Sequence, residues 1–326
     1  SPSKQVDMSE VVAPRPLARI RAAEVATLIL LEASLVICWS AGFVGIRFAI
    51  DHAPLFLILL WRSLVSGLVL LPFALTIGPR IRPRDAFAQA MFGLLAMAGY
   101  LSGFALAIAR GVPTGLVALI TDMLPLAVAL LSWPVLGQAL SARQWLGSFI
   151  GLAGVLIASG WSLRMGDVPL WAYGLPLLGT LSLAMATLLQ KRSAAGAMPV
   201  HQSLCIQCLS ASVVFALFAW REGGVLPVAD PGFVGGILWL VFVATFGAWS
   251  IYYLALRKSS PARVTAVLYL SPPVTMIWAW VMFGEKLSWA MAAGLAVSLA
   301  GIVIVARGGS RRDERQDLQL SSTDSR

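Results

Sequence analysis

The sequence predicts an all-α integral membrane protein with ten transmembrane helices arranged as two inverted five-helix repeats. Three observations predict it. The 326-residue chain is 59% hydrophobic and 12% charged, about half the charge that a water-facing surface needs. Its apolar residues fall into ten runs that reach the length of about 20 residues needed to cross a hydrocarbon core. The chain also reads twice: Arg110–Ile157 aligns without a gap on Arg257–Ile304, at a constant offset of 147 residues.

The ten runs are expected near Val25–Ile50, Pro54–Ile77, Ala86–Ala109, Thr114–Leu136, Ala142–Trp161, Pro169–Gln190, Val200–Trp220, Phe233–Leu256, Ala262–Phe283 and Trp289–Ala306. The connections are very short, so sequence neighbours are expected as antiparallel hairpins. The first run is long enough to span and is expected to stay as a helix rather than to be cleaved as a signal. Residues 1–23 and 308–326 are polar and charged and are expected as disordered tails. The first repeat is expected over residues 24–161 and the second over 162–307.

Lys and Arg set the orientation. Of 24 such residues, 18 lie in one set of loops and tails, among them Arg80, Arg82, Arg84, Arg143, Lys191 and Arg192. Five lie in the opposite set: Arg47, Arg110, Arg164, Arg221 and Lys286. The remaining one, Arg62, lies well inside a run. The bias predicts a multi-pass protein of the cell membrane with both termini in the cytoplasm. Five helices per repeat is an odd number, so the second repeat enters the membrane from the face opposite to the first.

In the aligned copies Pro125 falls on Pro272, Trp133 on Trp280, Gly137 on Gly284, Gly147 on Gly294 and Gly154 on Gly301. Duplicated, inverted apolar units are a common plan of secondary carriers, with the solute held between the copies.

Composition excludes several other classes. The net charge of +9 comes from short loops between apolar runs, where topology requires it, so no nucleic-acid partner is expected. Cys38, Cys205 and Cys208 lie within apolar runs, and Cys205-x-x-Cys208 has no second pair to complete a metal or redox motif. His52 and His201 sit at run ends without partners at ligand spacing. No metal and no cofactor are expected. A phosphate-binding loop of the form Gly-x4-Gly-Lys-Ser/Thr is absent from the sequence, which leaves no ATP drive. Clustered catalytic groups are absent as well, so an enzyme is not expected. A channel needs rings of repeated ligand groups, and none is evident.

The stretch from Pro261 through Tyr269-Leu-Ser271-Pro272-Pro273, with Gly284-Glu285-Lys286-Leu287-Ser288 and then Gly294 and Gly301, resembles the EamA repeat of the drug/metabolite transporter superfamily. The first copy is similar but degenerate, since Gly137-Gln138-Ala139-Leu140-Ser141 lacks the acidic residue. Trp39-Ser40-Ala-Gly42-Phe43 followed by Arg47 resembles the family's first helix, with Ser40 where Gly is usual. Arg62 sits where the second helix of that family carries an arginine. The resemblance implies ten helices, a cavity between the halves and transport of small metabolites, often export. The family spans amino acids, nucleotide-linked compounds and drugs, and its YddG-type amino-acid exporters are one branch.

Ionisable groups inside the bilayer are costly and are candidates for function by default. Glu32, Arg62 and Asp122 are such groups. Arg62 and Asp122 each lie about eight residues, ~12 Å, inside the same surface, and are expected to face the interior and to lie close enough to interact. They are expected either to contact a zwitterionic substrate or to fix two helices as a permanent bridge. Glu32 is a candidate for proton coupling, against a hydrogen-bonded residue near the interface. Pro125 and Pro272 interrupt matching helices and are candidates for the break that builds a site or gate. Trp39, Tyr100, Trp249 and Tyr269 are the aromatic residues expected in the substrate path. Trp145, Trp161, Trp171, Trp220 and Trp289 fall at run ends and are expected as an interfacial belt. Gly99-x3-Gly103 and Gly147-x3-Gly151 are close-packing seams, within a monomer or across a homodimer. These readings converge on a secondary transporter exporting amino acids, neutral or aromatic, or related metabolites. Export of drugs or of cationic or nucleoside-type compounds is the second reading.

Overall fold

A computed structural model describes residues 15–137, 141–164, 168–248, 250–251, 254 and 267–304. Every regular element among these residues is helical. The longest, α1, covers Arg15–Ala49 and begins inside the stretch expected as a tail. It is followed by α2 over Leu55–Thr76 and α3 over Pro83–Ala109. The fourth, α4, is built of two pieces, Thr114–Thr121 and Leu124–Leu136. Then come α5 over Ala142–Arg164, α6 over Gly174–Arg192 and α7 over Val200–Glu222. The described part of the remainder gives α8 over Pro231–Gly247, α9 over Ser271–Phe283 and α10 over Trp289–Ile304. Six of these segments, in α1, α2, α3, α4, α6 and α7, are long and apolar enough to cross a membrane.

Sequence punctuates the helices where expected. Gly137 ends α4 at φ +69° and Gly284 ends α9 at φ +66°, the left-handed conformation that glycine adopts without a Cβ penalty. Pro125 and Pro272 each occupy the first turn of a new helical piece, where a missing N–H costs nothing. Asp122-Met123 and Tyr269-Leu270 are the turns before them, and they correspond through the 147-residue offset. A second pair of irregularities is not marked by composition. Leu94–Gly99 in α3 and Trp239–Gly247 in α8 wind as wide π-type turns, in helices that correspond between repeats.

The packing is unchanged when the repeats are exchanged. Helix α3 packs on α6 as α8 packs on α1, and α4 packs on α6 as α9 packs on α1. Helix α2 meets its own counterpart α7, and α4 meets α9. Helices α5 and α10 meet through glycine. A Cβ on Gly154 would lie 2.3 Å from Ser298 Oγ and 2.6 Å from Gly294 O. One on Gly301 would lie 2.4 Å from Gly151 N and 2.6 Å from Gly147 O. These contacts are exchange-related, and Ser298 donates to the carbonyl of its own counterpart Gly151 at 3.1 Å. The Gly99/Gly103 seam packs likewise within the chain, against Ser182, Leu175 and Gly179 of α6.

Contacts between connections define two ends of the bundle. At one, His52 meets Asp230 at 3.1 Å, Phe56 N donates to Glu222 and Glu285 reaches Arg47 and Thr114. At the other, His201 meets Ile77 O, Gln202 donates to Pro79 O, and Arg192 donates to Val135 O. Trp145, Trp171, Trp220 and Trp289 are exposed on the outside, as an interfacial belt requires. Cys205 and Cys208 are buried free thiols, and Cys205 Sγ reaches Gly67 O as a small packing residue.

Candidate functional site

The broken helices deliver polar groups to the middle of the bundle. Pro125 cannot donate to Thr121 O, and the chain turns at Asp122-Met123 before α4 resumes. In the other repeat Ser271 and Pro272 begin α9 directly after the matching turn. Asp122 lies within hydrogen-bonding reach of the Ser271 hydroxyl and the Trp39 indole. Ser40, next to Trp39 on α1, donates to Ser271 O at 3.2 Å and approaches Ser271 Oγ at 3.3 Å. Both serines are fully buried. The cluster therefore draws on three helices and on both repeats. One carboxylate oxygen, Asp122 Oδ2, is buried without a hydrogen-bond partner. Thr275 Oγ1, one turn beyond Ser271, is also buried and unpartnered.

Arg62 lies on α2, among α3, α7 and α8. Its Nε donates to Thr245 Oγ1 at 3.4 Å, and its Nη1 is buried without a partner. The expected direct contact with Asp122 is not formed. Among the described residues the ion pairs are Arg47–Asp51, Arg47–Glu285 and His52–Asp230. Tyr100 neighbours Arg62, Thr121 and Asp122. Depth along two helices gave Arg62 and Asp122 the same height; it carried no information about which way each side chain points around its axis. Tyr100 also stacks obliquely on Phe104, at 5.3 Å between ring centroids, and Phe104 packs edge-on against Phe43.

The other candidates fall as follows. Trp39 and Tyr269 are half-buried beside the core, and Tyr269 neighbours Asp122. Glu32 is half-buried on α1, seven residues and about 10 Å before Trp39. Trp249 lies outside the described residues. Three neutral participants were missed in the sequence: Ser271, Thr121 and Thr245. Hydroxyls placed at helix breaks were the signal, since Ser271 directly precedes Pro272-Pro273 and Thr121 directly precedes Asp122.

A second polar cluster stands at the end of the bundle. Glu285 accepts from Thr114 N at 2.7 Å and from the Thr114 hydroxyl, which caps α4 where the backbone has spare donors. Glu285 also pairs with Arg47 at 3.8 Å. Arg47 pairs in turn with Asp51 and lies over the Phe283 ring at 4.7 Å. This acidic residue thus joins α1, α4 and α9. Burial pushes its carboxyl up from the usual range, and the two Thr114 donors and Arg47 oppose that shift.

Comparison with known proteins agrees with the two-repeat plan. The model of the EamA-like transporter family matches residues 26–160 and again 170–307. The chain is 29% identical over 280 residues to the "Uncharacterized inner membrane transporter YedA" of Escherichia coli K12, covering 84% of this chain and 89% of that one. It is 26% identical over 278 residues to a "Probable amino-acid metabolite efflux pump" of Salmonella typhimurium, covering 82% and 91%. A similar match, 26% over 293 residues, is to a "Probable terminal-alkyne amino-acid exporter" of Streptantibioticus cattleyicolor, covering 85% and 93%. A solved crystal structure superposes with a TM-score of 0.57 at 18% identity, covering 86% of this chain and 96% of the other, which supports the fold. Two matched repeats, two matched helix breaks and this set of relatives lead to one conclusion: the chain belongs to the EamA-like transporter family and is a membrane transporter, not an enzyme.

Proposed function

We propose that this protein is a secondary carrier that exports amino acids, or closely related small metabolites, by alternating access between its repeats. The observation that carries the reading is Asp122. Its carboxylate sits at a helix break, among groups from both repeats, with one buried oxygen unpartnered. A buried carboxylate needs a positive or donating partner, and the ammonium of an amino acid supplies one. Trp39, Tyr100 and Tyr269 surround that position with aromatic surface, which suits neutral or aromatic side chains. Arg62 lies further along the same path, and Pro125 and Pro272 give the path its breaks. Glu32, on α1, is the group we assign to proton coupling. Relatives named as an amino-acid efflux pump and an amino-acid exporter point to the same substrate class.

In this reading ten helices cross the cell membrane as two inverted repeats, over residues 24–161 and 162–307, with both tails in the cytoplasm. The Arg47–Glu285 end then faces outward, and its contact has to part for release. Asp122 would equally receive an amine without an acid group, so export of cationic drug-like compounds is the second reading. Counterflow in liposomes tests the choice. Vesicles loaded with unlabelled neutral or aromatic amino acid should accumulate labelled amino acid saturably. Saturable exchange of cationic dyes with no response to any amino acid would sink the first reading and support the second.

A further inference from the structure

Arg62 is a guanidinium that is 9% exposed inside a membrane helix, and Asp122 does not neutralise it. Among the described residues no carboxylate oxygen lies within ion-pair distance of it. Its one hydrogen bond among the described residues runs to Thr245, whose own hydroxyl hydrogen is given to Leu240 O at 2.8 Å. Ser66 lies one helical turn further along α2, on the same face. It is fully buried, and its Oγ has no partner. Arg62, Ser63, Ser66 and Thr245 line one cavity of about 10 Å³, room for roughly one water, closed by Met97, Leu101 and Cys208. The wide turns of α3 and α8 supply Met97 and Thr245, so the irregular windings of both repeats converge on it.

The cavity thus holds a cation and a spare hydroxyl donor and no acid. Buried cations are ordinarily paired, and a buried donor without an acceptor is costly. We propose that this cavity is the closed form of an anion subsite that widens to take the carboxylate of the transported solute, with Arg62 Nη1 and Ser66 Oγ as its two donors. The inference rests on the amino-acid reading of Asp122 and deepens it. The ammonium points to the broken helix and the carboxylate to the α2–α7 junction, and Tyr100, which neighbours both Asp122 and Arg62, flanks the solute. Ser66 is thereby a specificity-determining residue. It favours solutes bearing a free acid and disfavours amines that lack one.

The test is competition in the same counterflow assay. A neutral amino acid, its amide and its N-acetyl derivative compete against the labelled amino acid. The wild type should prefer the free acid over the amide by at least tenfold. Ser66→Ala, which removes a single buried oxygen, should narrow that preference about tenfold, the worth of one hydrogen bond to a charged group. Arg62→Gln should abolish it. Equal competition by acid and amide in the wild type, or a Ser66→Ala variant with an unchanged ratio, overturns the assignment. A rate set by chloride but not by the solute's acid group would mark a resident inorganic anion and also overturns it. If no amino acid exchanges at all, the reading of Asp122 fails, and the subsite is read on its own. Acetate should then raise the melting temperature of the detergent-purified protein above that in acetamide, an effect lost in Ser66→Ala. Equal melting temperatures in the two would overturn the subsite as well.

Discussion

Asp122 concentrates the consequences of the fold in one side chain. It is placed by a proline break, flanked by groups from both halves of the chain, and left with an open oxygen. Asp122→Asn keeps the shape and removes the charge. It should lower amino-acid exchange at least tenfold, since a hydrogen bond to a charged group is worth about 1.5–3 kcal/mol, while leaving a monodisperse, folded protein on size exclusion. Unchanged exchange would remove Asp122 from the path. The sequence marked Arg62 and Asp122 by their charge, yet not the separation between them. Charge inside an apolar run is visible in one dimension; the azimuth that separates two side chains at equal depth is set by packing. Glu285 was visible as part of a motif, and its role appears only in three dimensions, where it caps α4 and meets Arg47. Burial holds its proton above the ordinary glutamate range. The folded protein then binds more protons than the unfolded chain between the ordinary and the raised value, so this group's contribution to stability falls as pH rises through that window. Glu285→Gln should flatten that part of the dependence of melting temperature on pH. An identical slope in variant and wild type would contradict the assignment.

At the scale of elements, glycine and proline were the most legible residues. Gly137, Gly284, Pro125 and Pro272 sit where the conformational rules put them, because their backbone limits hold in any solvent. The wide turns in α3 and α8 left no such mark. One extra residue per turn changes no residue type, and the apolar composition is the same either way. The α5–α10 seam gives a sharp test of close approach. Gly301→Ala would push a methyl to 2.4 Å from a backbone nitrogen. Overpacking of this kind costs about 1–3 kcal/mol, so the melting temperature should fall by several degrees. Gly235→Ala, with nothing within 4 Å of the new carbon, should leave it unchanged. Pro272→Ala restores an N–H able to close on Leu268 O. The helix should straighten through the break, leaving stability equal or higher and exchange several-fold slower. Equal exchange rates would make the break dispensable.

At the scale of the whole molecule, the exchange-related packing is the feature on which the proposed alternating access rests. Two copies with one packing scheme have two related arrangements, each closing one end. The ends differ chemically in this conformation. Arg47 pairs with the Glu285 carboxylate and the Phe283 ring, whereas Arg192, at the corresponding end of α6, donates to the Val135 carbonyl. The repeat was legible as an offset in the sequence. The orientation proposed from Lys and Arg has its own test: of single cysteines placed at residue 81 and at residue 227, only the latter should react with an impermeant maleimide on intact cells. The central claim is that solute passes through the Arg47–Glu285 end and that this end must open. The most direct measurement places cysteines at both positions, Arg47→Cys with Glu285→Cys, in a background with Cys38, Cys205 and Cys208 replaced by alanine that retains exchange. A short cleavable dithiol-reactive linker then joins them. Counterflow of labelled amino acid should stop when the linker closes and return when it is cleaved. Exchange continuing at the unlinked rate, with cross-linking shown complete by mass spectrometry, would contradict the account.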